Sequence, residues 1–268
     1  MRLLCESYFV FWDVQSIYTL FSSSHKRWKV LIDNVPRFTV KSLSNTCSES
    51  RIKSVKAIRF QAPQIRLALL KMHGSKEELG IKSHAGLLAK SINKFEFLLG
   101  MVIWYDVLFY VDMVSKKLQS KSTTIDVAIN QISVAMKYFE KYRDEEFVPS
   151  LTHAKAIAAE MGVEADFPTK RRTQYRRQFD ESDHEEVIQS PKEDFRVNYF
   201  LALVDMDITL LNERFEQLTI FHSIFGFLCD SNKLKSLDGE SLRACCVNFC
   251  ATYSQNNFQD VDIGDLFS

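Results

Sequence analysis

The chain has 268 residues and a formal net charge of zero, with 34 basic and 34 acidic side chains. That balance excludes a globally basic nucleic-acid coat and an acidic disordered tail, and 46% hydrophobic with 25% charged residues is ordinary for a globular protein. Eight glycines and five prolines are fewer than half the roughly 12% share of an average chain. So few turn-formers argue for long helices and against a many-stranded sandwich or barrel. The 21 phenylalanines predict a bulky aromatic core.

In chain order, Val10, Phe11, Val14, Ile17, Tyr18 and Phe21 fall at helical spacing. Ser22-Ser23-Ser24 then breaks the run, and a serine there suits a helix cap. His25 to Asp33 forms a second helix that Pro36 closes, and Phe38-Thr39-Val40 reads as a short strand. From Glu49, Ile52, Val55, Ala57, Ile58 and Phe60 share one helical face, and Pro63 is expected to kink or stop the element. Ile65 to Met72 continues it. The three glycines between Gly74 and Gly86 predict a loop.

Residues Leu87 to Leu118 read as one long helix with a bend at Gly100. Between Phe97 and Tyr105 it has no polar side, which marks a central buried post. Asp106 and Asp112 inside the apolar stretch 97–114 argue for a core helix rather than a membrane span. Ile125, Ala128, Ile129, Ile132, Ala135, Met136 and Phe139 then give the cleanest amphipathic pattern, and a shorter helix runs from Leu151 to Met161, ended by Gly162. Asp194 to Leu211 and then Phe215 to Cys229 are helical, as is Glu240 to Tyr253. The acidic-apolar end from Asp260 to Phe267 is expected to fray or dock.

Residues 169–192 differ in kind. Lys170, Arg171, Arg172, Arg176 and Arg177 place five cations in eight residues around Tyr175, and Asp180 to Glu186 holds five acids in seven. The segment reads as a linker of opposed charge blocks. Two uses stay open for its basic half: a phosphate contact or nuclear-import signal, with Tyr175 stacking on a base, or a solvated loop answered by the neighbouring acids.

Six cysteines include none in a C-x-x-C pair. Cys246 and Cys250 sit four apart beside Val247 and Phe249, which suits packed thiols better than zinc. Met1-Arg2-Leu3-Leu4-Cys5 meets Glu6 at once, with no apolar run of signal-peptide length. Reduced thiols in a nuclear or cytoplasmic setting follow as the expectation. No nucleophile elbow, Walker loop or dinucleotide loop is present, and the six histidines are scattered. No cofactor, metal site or small-molecule substrate is expected.

Four strings together resemble a known family: Ser16 to Trp28 (SIYTLFSSSHKRW), Phe95 to Gly100 with Val114 to Ser120, Phe195 to Phe200 (FRVNYF), and Arg214 to Gln217. The chain resembles hAT-superfamily transposase-derived proteins of the zinc finger MYM-type or TTF-type, over about Phe11 to Phe267. The resemblance implies a mainly α-helical fold: the helical insertion domain of a ribonuclease H-like transposase, with at most a vestige of the core sheet. It implies residues 1–48 as a remnant of that core and 49–268 as the insertion. Full-length members hold an Asp-Asp-Glu metal triad, and no position here matches any of the three. The family's Asp-Thr-Arg-Trp-x-Ser-Arg string is Asn45-Thr46-Cys47-Ser48-Glu49-Ser50-Arg51 here, with Ser48 in the place of the tryptophan used around a cleaved DNA end. The same residues also read as a helix start.

The function expected is therefore non-catalytic: a domesticated or decayed transposase fragment that contacts DNA through Lys170, Arg171, Arg172, Tyr175, Arg176 and Arg177. A helical protein-interaction scaffold is the alternative. An active transposase that borrows carboxylates from elsewhere is a third and weaker one.

Overall fold

The computed structural model describes residues 2–43, 48–121, 123–167, 190–229 and 231–253. The described residues are mainly α-helical, with no strand among them. The elements are α1 (Arg2–Ser22), α2 (His25–Asn34), α3 (Ser48–His73), α4 (Leu79–Ile92), α5 (Phe95–Leu118), α6 (Ile125–Glu145) and α7 (Phe147–Met161). There follow α8 (Pro191–Phe195), a π-helical segment (Arg196–Leu201), α9 (Ala202–Cys229), α10 (Ser231–Ser236) and α11 (Gly239–Tyr253).

The chain divides into two compact units. Unit 1 is Met1–Met113 with Lys141–Asp205, and unit 2 is Val114–Glu140 with Met206–Ser268. Residues 1–48 and 49–113 thus belong to the same unit.

In unit 1, α3 lies along α4 and also meets α2 and α7, while α1 packs on α2, α4 and the π-helical segment. The post expected in the first half is real. Phe97, Leu98, Leu99, Met101, Val102 and Ile103 of α5 are all buried. By length and composition α5 is the one described helix that could cross a membrane, but 61% of its apolar window is buried inside the protein.

Cations close two helix ends: the Arg27 guanidinium donates to the carbonyl of Leu20 (3.1 Å) and that of Arg66 to the carbonyl of Met161 (3.0 Å). Gly162 ends α7 in the left-handed region (φ 62°), so the amides of Gly162 and Val163 reach back to the carbonyls of Ala159 and Ala158.

Four expectations are corrected. Phe38-Thr39-Val40 is not a strand. The segment 37–43 forms no regular element, and helix side chains take its hydrogen bonds in place of a partner strand. Gln61 accepts through Oε1 from the amides of Arg37 (2.9 Å) and Phe38 (3.2 Å), and donates through Nε2 to the carbonyl of Phe38 (2.8 Å). Ser54 accepts from the Lys41 amide (3.0 Å) and donates to its carbonyl (2.7 Å), and Gln15 accepts from the Leu43 amide (2.8 Å). Pro63 helps make this possible: lacking an N–H, it breaks the helical ladder, and the break falls at Gln61 (φ −139°, ψ 27°) inside α3.

Second, the glycine-rich stretch 74–86 is mostly helix, because α4 begins at Leu79. Gly86 is a packing glycine: a Cβ there would sit 2.8 Å from Nδ1 of His73. Third, the helix expected over 87–118 is two helices, parted at Asn93–Lys94, and Gly100 lies in the unbroken run of α5. A Cβ on Gly100 would meet the Tyr199 hydroxyl at 2.9 Å and Val10 at 3.0 Å, so the glycine serves close approach, not bending. Fourth, Phe60 leaves the apolar face of α3 and is 53% exposed. Two residues beyond Ile58 is about 200° around a helix, the opposite side.

In unit 2, α6 presents Ile132, Ala135 and Phe139 inward. His222 of α9 bonds Asp126 of α6 (2.9 Å), and Phe225 and Phe227 of α9 meet the ring of Phe249 in α11. Asp238 starts α11, and hydrogen bonds from the Ser241 side chain and the Ser241 amide (2.8 Å) hold its carboxyl below the usual range.

Candidate nucleic-acid interface

The residues singled out for DNA contact, Lys170, Arg171, Arg172, Tyr175, Arg176 and Arg177, lie outside the described residues, in the segment 168–189. Its two attachment points are described. Phe167 is buried edge-on against Phe95 (5.3 Å between ring centres) and also meets Phe195 (5.6 Å). Phe195 in turn stacks on Tyr199 (4.6 Å). On the far side, Ser190 caps α8, its hydroxyl accepting from the Glu193 amide, and Pro191 follows at the first helical position. The charged segment therefore departs from and returns to one aromatic cluster in unit 1.

Below that cluster, Trp104 donates through its indole N–H to the Tyr199 hydroxyl (3.0 Å), in the space left by Gly100. Burial pushes the Tyr199 hydroxyl above its ordinary range, and the bond from Trp104 offsets part of that. The π-helical turn carries Tyr199 and Phe200 inward side by side, both buried. Phe200 packs on Phe147 (5.2 Å) and Tyr142 (5.7 Å). Arg143 holds Asp205 through Nε (2.5 Å) and the second guanidinium nitrogen (3.3 Å).

A second surface was not anticipated from the sequence. Rings from the 37–43 segment, α3 and α5 form a row: Phe38 to Phe60 (6.5 Å), Phe60 to Tyr105 (5.4 Å) and Tyr105 to Phe109 (6.0 Å, stacked). Phe109 is 54% exposed. Lys56 stands 4.8 Å over the Phe38 ring, and Arg59 lies 4.5 Å over Tyr105 and 5.4 Å over Phe60. Arg59 is also ion-paired with Asp106, which answers the question of what that carboxylate does inside an apolar helix. Part of the row was visible as Tyr105 and Phe109 at i, i+4. Phe38 is brought to the row by the bonds between Gln61 and the 37–43 segment, which no periodicity announces.

Among the described residues no group of three or more His, Cys, Asp or Glu side chains is arranged to hold a metal ion. Cys246 and Cys250 are buried, as expected of packed thiols, and burial raises the Cys246 thiol, while Cys229 is exposed. Asp207 in unit 2 is half-buried, and its Oδ2, sealed from solvent, has no hydrogen-bond partner among the described residues. Desolvation pushes its carboxyl up to about 7.

No family model, curated protein or solved structure matches this chain.

Proposed function

We propose that this chain is a non-catalytic relative of hAT transposases, a helical insertion-type domain that contacts DNA through the basic block at 170–177. The observation that carries the reading is the block itself, five cations in eight residues, set between ends that Phe167 and Phe195 bring together (5.6 Å). Phosphate contact needs such charge more than it needs a shaped pocket. The acidic block at 180–186 competes for the same cations, so binding is salt-sensitive and modest. The mainly helical fold of the described residues and the ordered family strings support the transposase ancestry. The missing match to the Asp-Asp-Glu triad supports a role without strand cleavage.

In a gel shift at low salt, duplex DNA is expected to be retarded by the wild-type chain and released when Arg171, Arg172, Arg176 and Arg177 are all changed to Ala. Absence of a shift with wild type sinks the DNA reading. Magnesium-dependent nicking by the purified chain sinks its non-catalytic part.

The second reading, a helical protein-interaction scaffold, is favoured by the exposed apolar side chains of unit 2. Val127 and Val134 of α6, and Leu210, Ile220 and Phe221 of α9, all lie 45% or more in solvent.

A further inference from the structure

We propose that the aromatic–cation row of unit 1 is a stacking platform for single-stranded nucleic acid, a binding site separate from the basic block at 170–177. Three features of the row point to that ligand class. Two of its rings are more than half exposed, Phe60 at 53% and Phe109 at 54%. Rings spaced by 5.4–6.5 Å give a row on which successive bases can lie, as two or three aromatic side chains do on sheet platforms.

The charges around the row favour an anion. Asp106 is occupied by Arg59. Lys56 makes its contact with the face of Phe38, and Arg37 and Lys41 stand exposed on the same 37–43 segment as Phe38. None of Lys56, Arg37 and Lys41 has a carboxylate partner among the described residues. A partner that offers flat π-faces and negative charge together satisfies both halves of the row. A protein surface is less well matched, because lysines are depleted in protein interfaces. Duplex DNA is less well matched still, since its bases are already stacked and their faces closed.

The geometry also sets the order of importance. Phe109 offers an outer face, since its inner face is stacked on Tyr105 with 27° between planes. Phe60 meets Tyr105 edge-on, with the Arg59 guanidinium beside both. Base stacking is therefore expected on Phe109 and Phe60, with Lys56 steering phosphate.

The test uses the full chain and a fluorescein-labelled oligothymidylate, read by anisotropy. Phe60→Leu and Phe109→Leu keep apolar bulk and remove the ring face. Because both residues are exposed, the variants are expected to fold, with an unchanged melting temperature as the check. Each substitution is expected to weaken binding about ten-fold, and Lys56→Ala less. The quadruple Ala variant of Arg171, Arg172, Arg176 and Arg177 is expected to keep the row's binding, which separates this site from the basic block. Several results overturn the proposal: no binding of the oligothymidylate by wild type, equal binding by the leucine variants, or loss only in the quadruple variant. So does a wild-type dimer in sedimentation that the leucine variants convert to monomer, which would make a second copy the occupant.

Discussion

Asp13 of unit 1 and Asp207 of unit 2 are both half-buried carboxylates, and burial raises both. Their surroundings differ. The hydroxyl of Ser91 donates to Asp13, and Lys94 and His84 add favourable charge, so three neighbours offset part of the cost of desolvation. Desolvation is the only resolved influence on Asp207. The buried amides and hydroxyls of unit 1 are divided: Oε1 of Gln64, Oδ1 of Asn93 and Oγ of Ser150 have no hydrogen-bond partner among the described residues. Gln61 and Ser54, by contrast, bridge to backbone: one side chain serves Arg37 and Phe38, the other both polar groups of Lys41. The difference therefore lies between two carboxylates, Asp13 with partners and Asp207 without, rather than between whole units. A buried polar group is cheap when bonded and costly when not, so the two carboxylates should respond differently to mutation and to pH.

The largest effect is expected in the aromatic interior of unit 1. Phe200 is fully buried between Phe147 and Tyr142, and Phe200→Ala should cost about 3–5 kcal/mol by denaturant unfolding. Phe221→Ala in unit 2, with 45% of its side chain in solvent, should cost clearly less. Equal losses would erase the contrast.

The pH response sharpens it. Asp207 has a folded-state pKa of about 7 against an ordinary carboxyl value of 3.8, so the native state binds more protons across that window. Stability is then highest below about pH 4, falls as pH rises toward 7, and levels off above. The total loss is on the order of 4 kcal/mol. Asp207→Asn should abolish the fall and raise stability at pH 8. A stability profile unchanged by Asp207→Asn between pH 4 and 8 would mean that its carboxylate is satisfied in solution.

The smallest of the three effects concerns the 37–43 segment. Gln61→Leu removes the acceptor for the Arg37 and Phe38 amides and should cost about 1–3 kcal/mol, with faster amide hydrogen exchange at those two positions. Unchanged exchange there would mean that the segment is held by its apolar contacts alone, such as the buried Val40.

Much of the fold was legible because helical periodicity is local. The ends of α2, α7 and α11 follow from Pro36, Gly162 and Gly239, each read from the residue type alone. What escaped depends on contacts between distant residues. Gly80 and Gly86 looked like loop formers, yet α4 tolerates both, and the close approach of His73 is what Gly86 serves. The triplet 38–40 has strand propensity, but Gln61 and Ser54 meet its backbone, and nothing in the triplet names them. The basic block was plain as a charge run. The aromatic row was not, since its four rings come from three elements and only the 105–109 pair shares a helix.

The salt dependence of duplex DNA binding tests the central claim most directly. Each phosphate contact contributes about 0.9 to the slope of log affinity against log salt. The wild-type chain is predicted to show a steep negative slope that flattens by about 3–4 when Arg171, Arg172, Arg176 and Arg177 become Ala. An identical slope in the two proteins would contradict the account and move the DNA contact, or the function, to another part of the molecule.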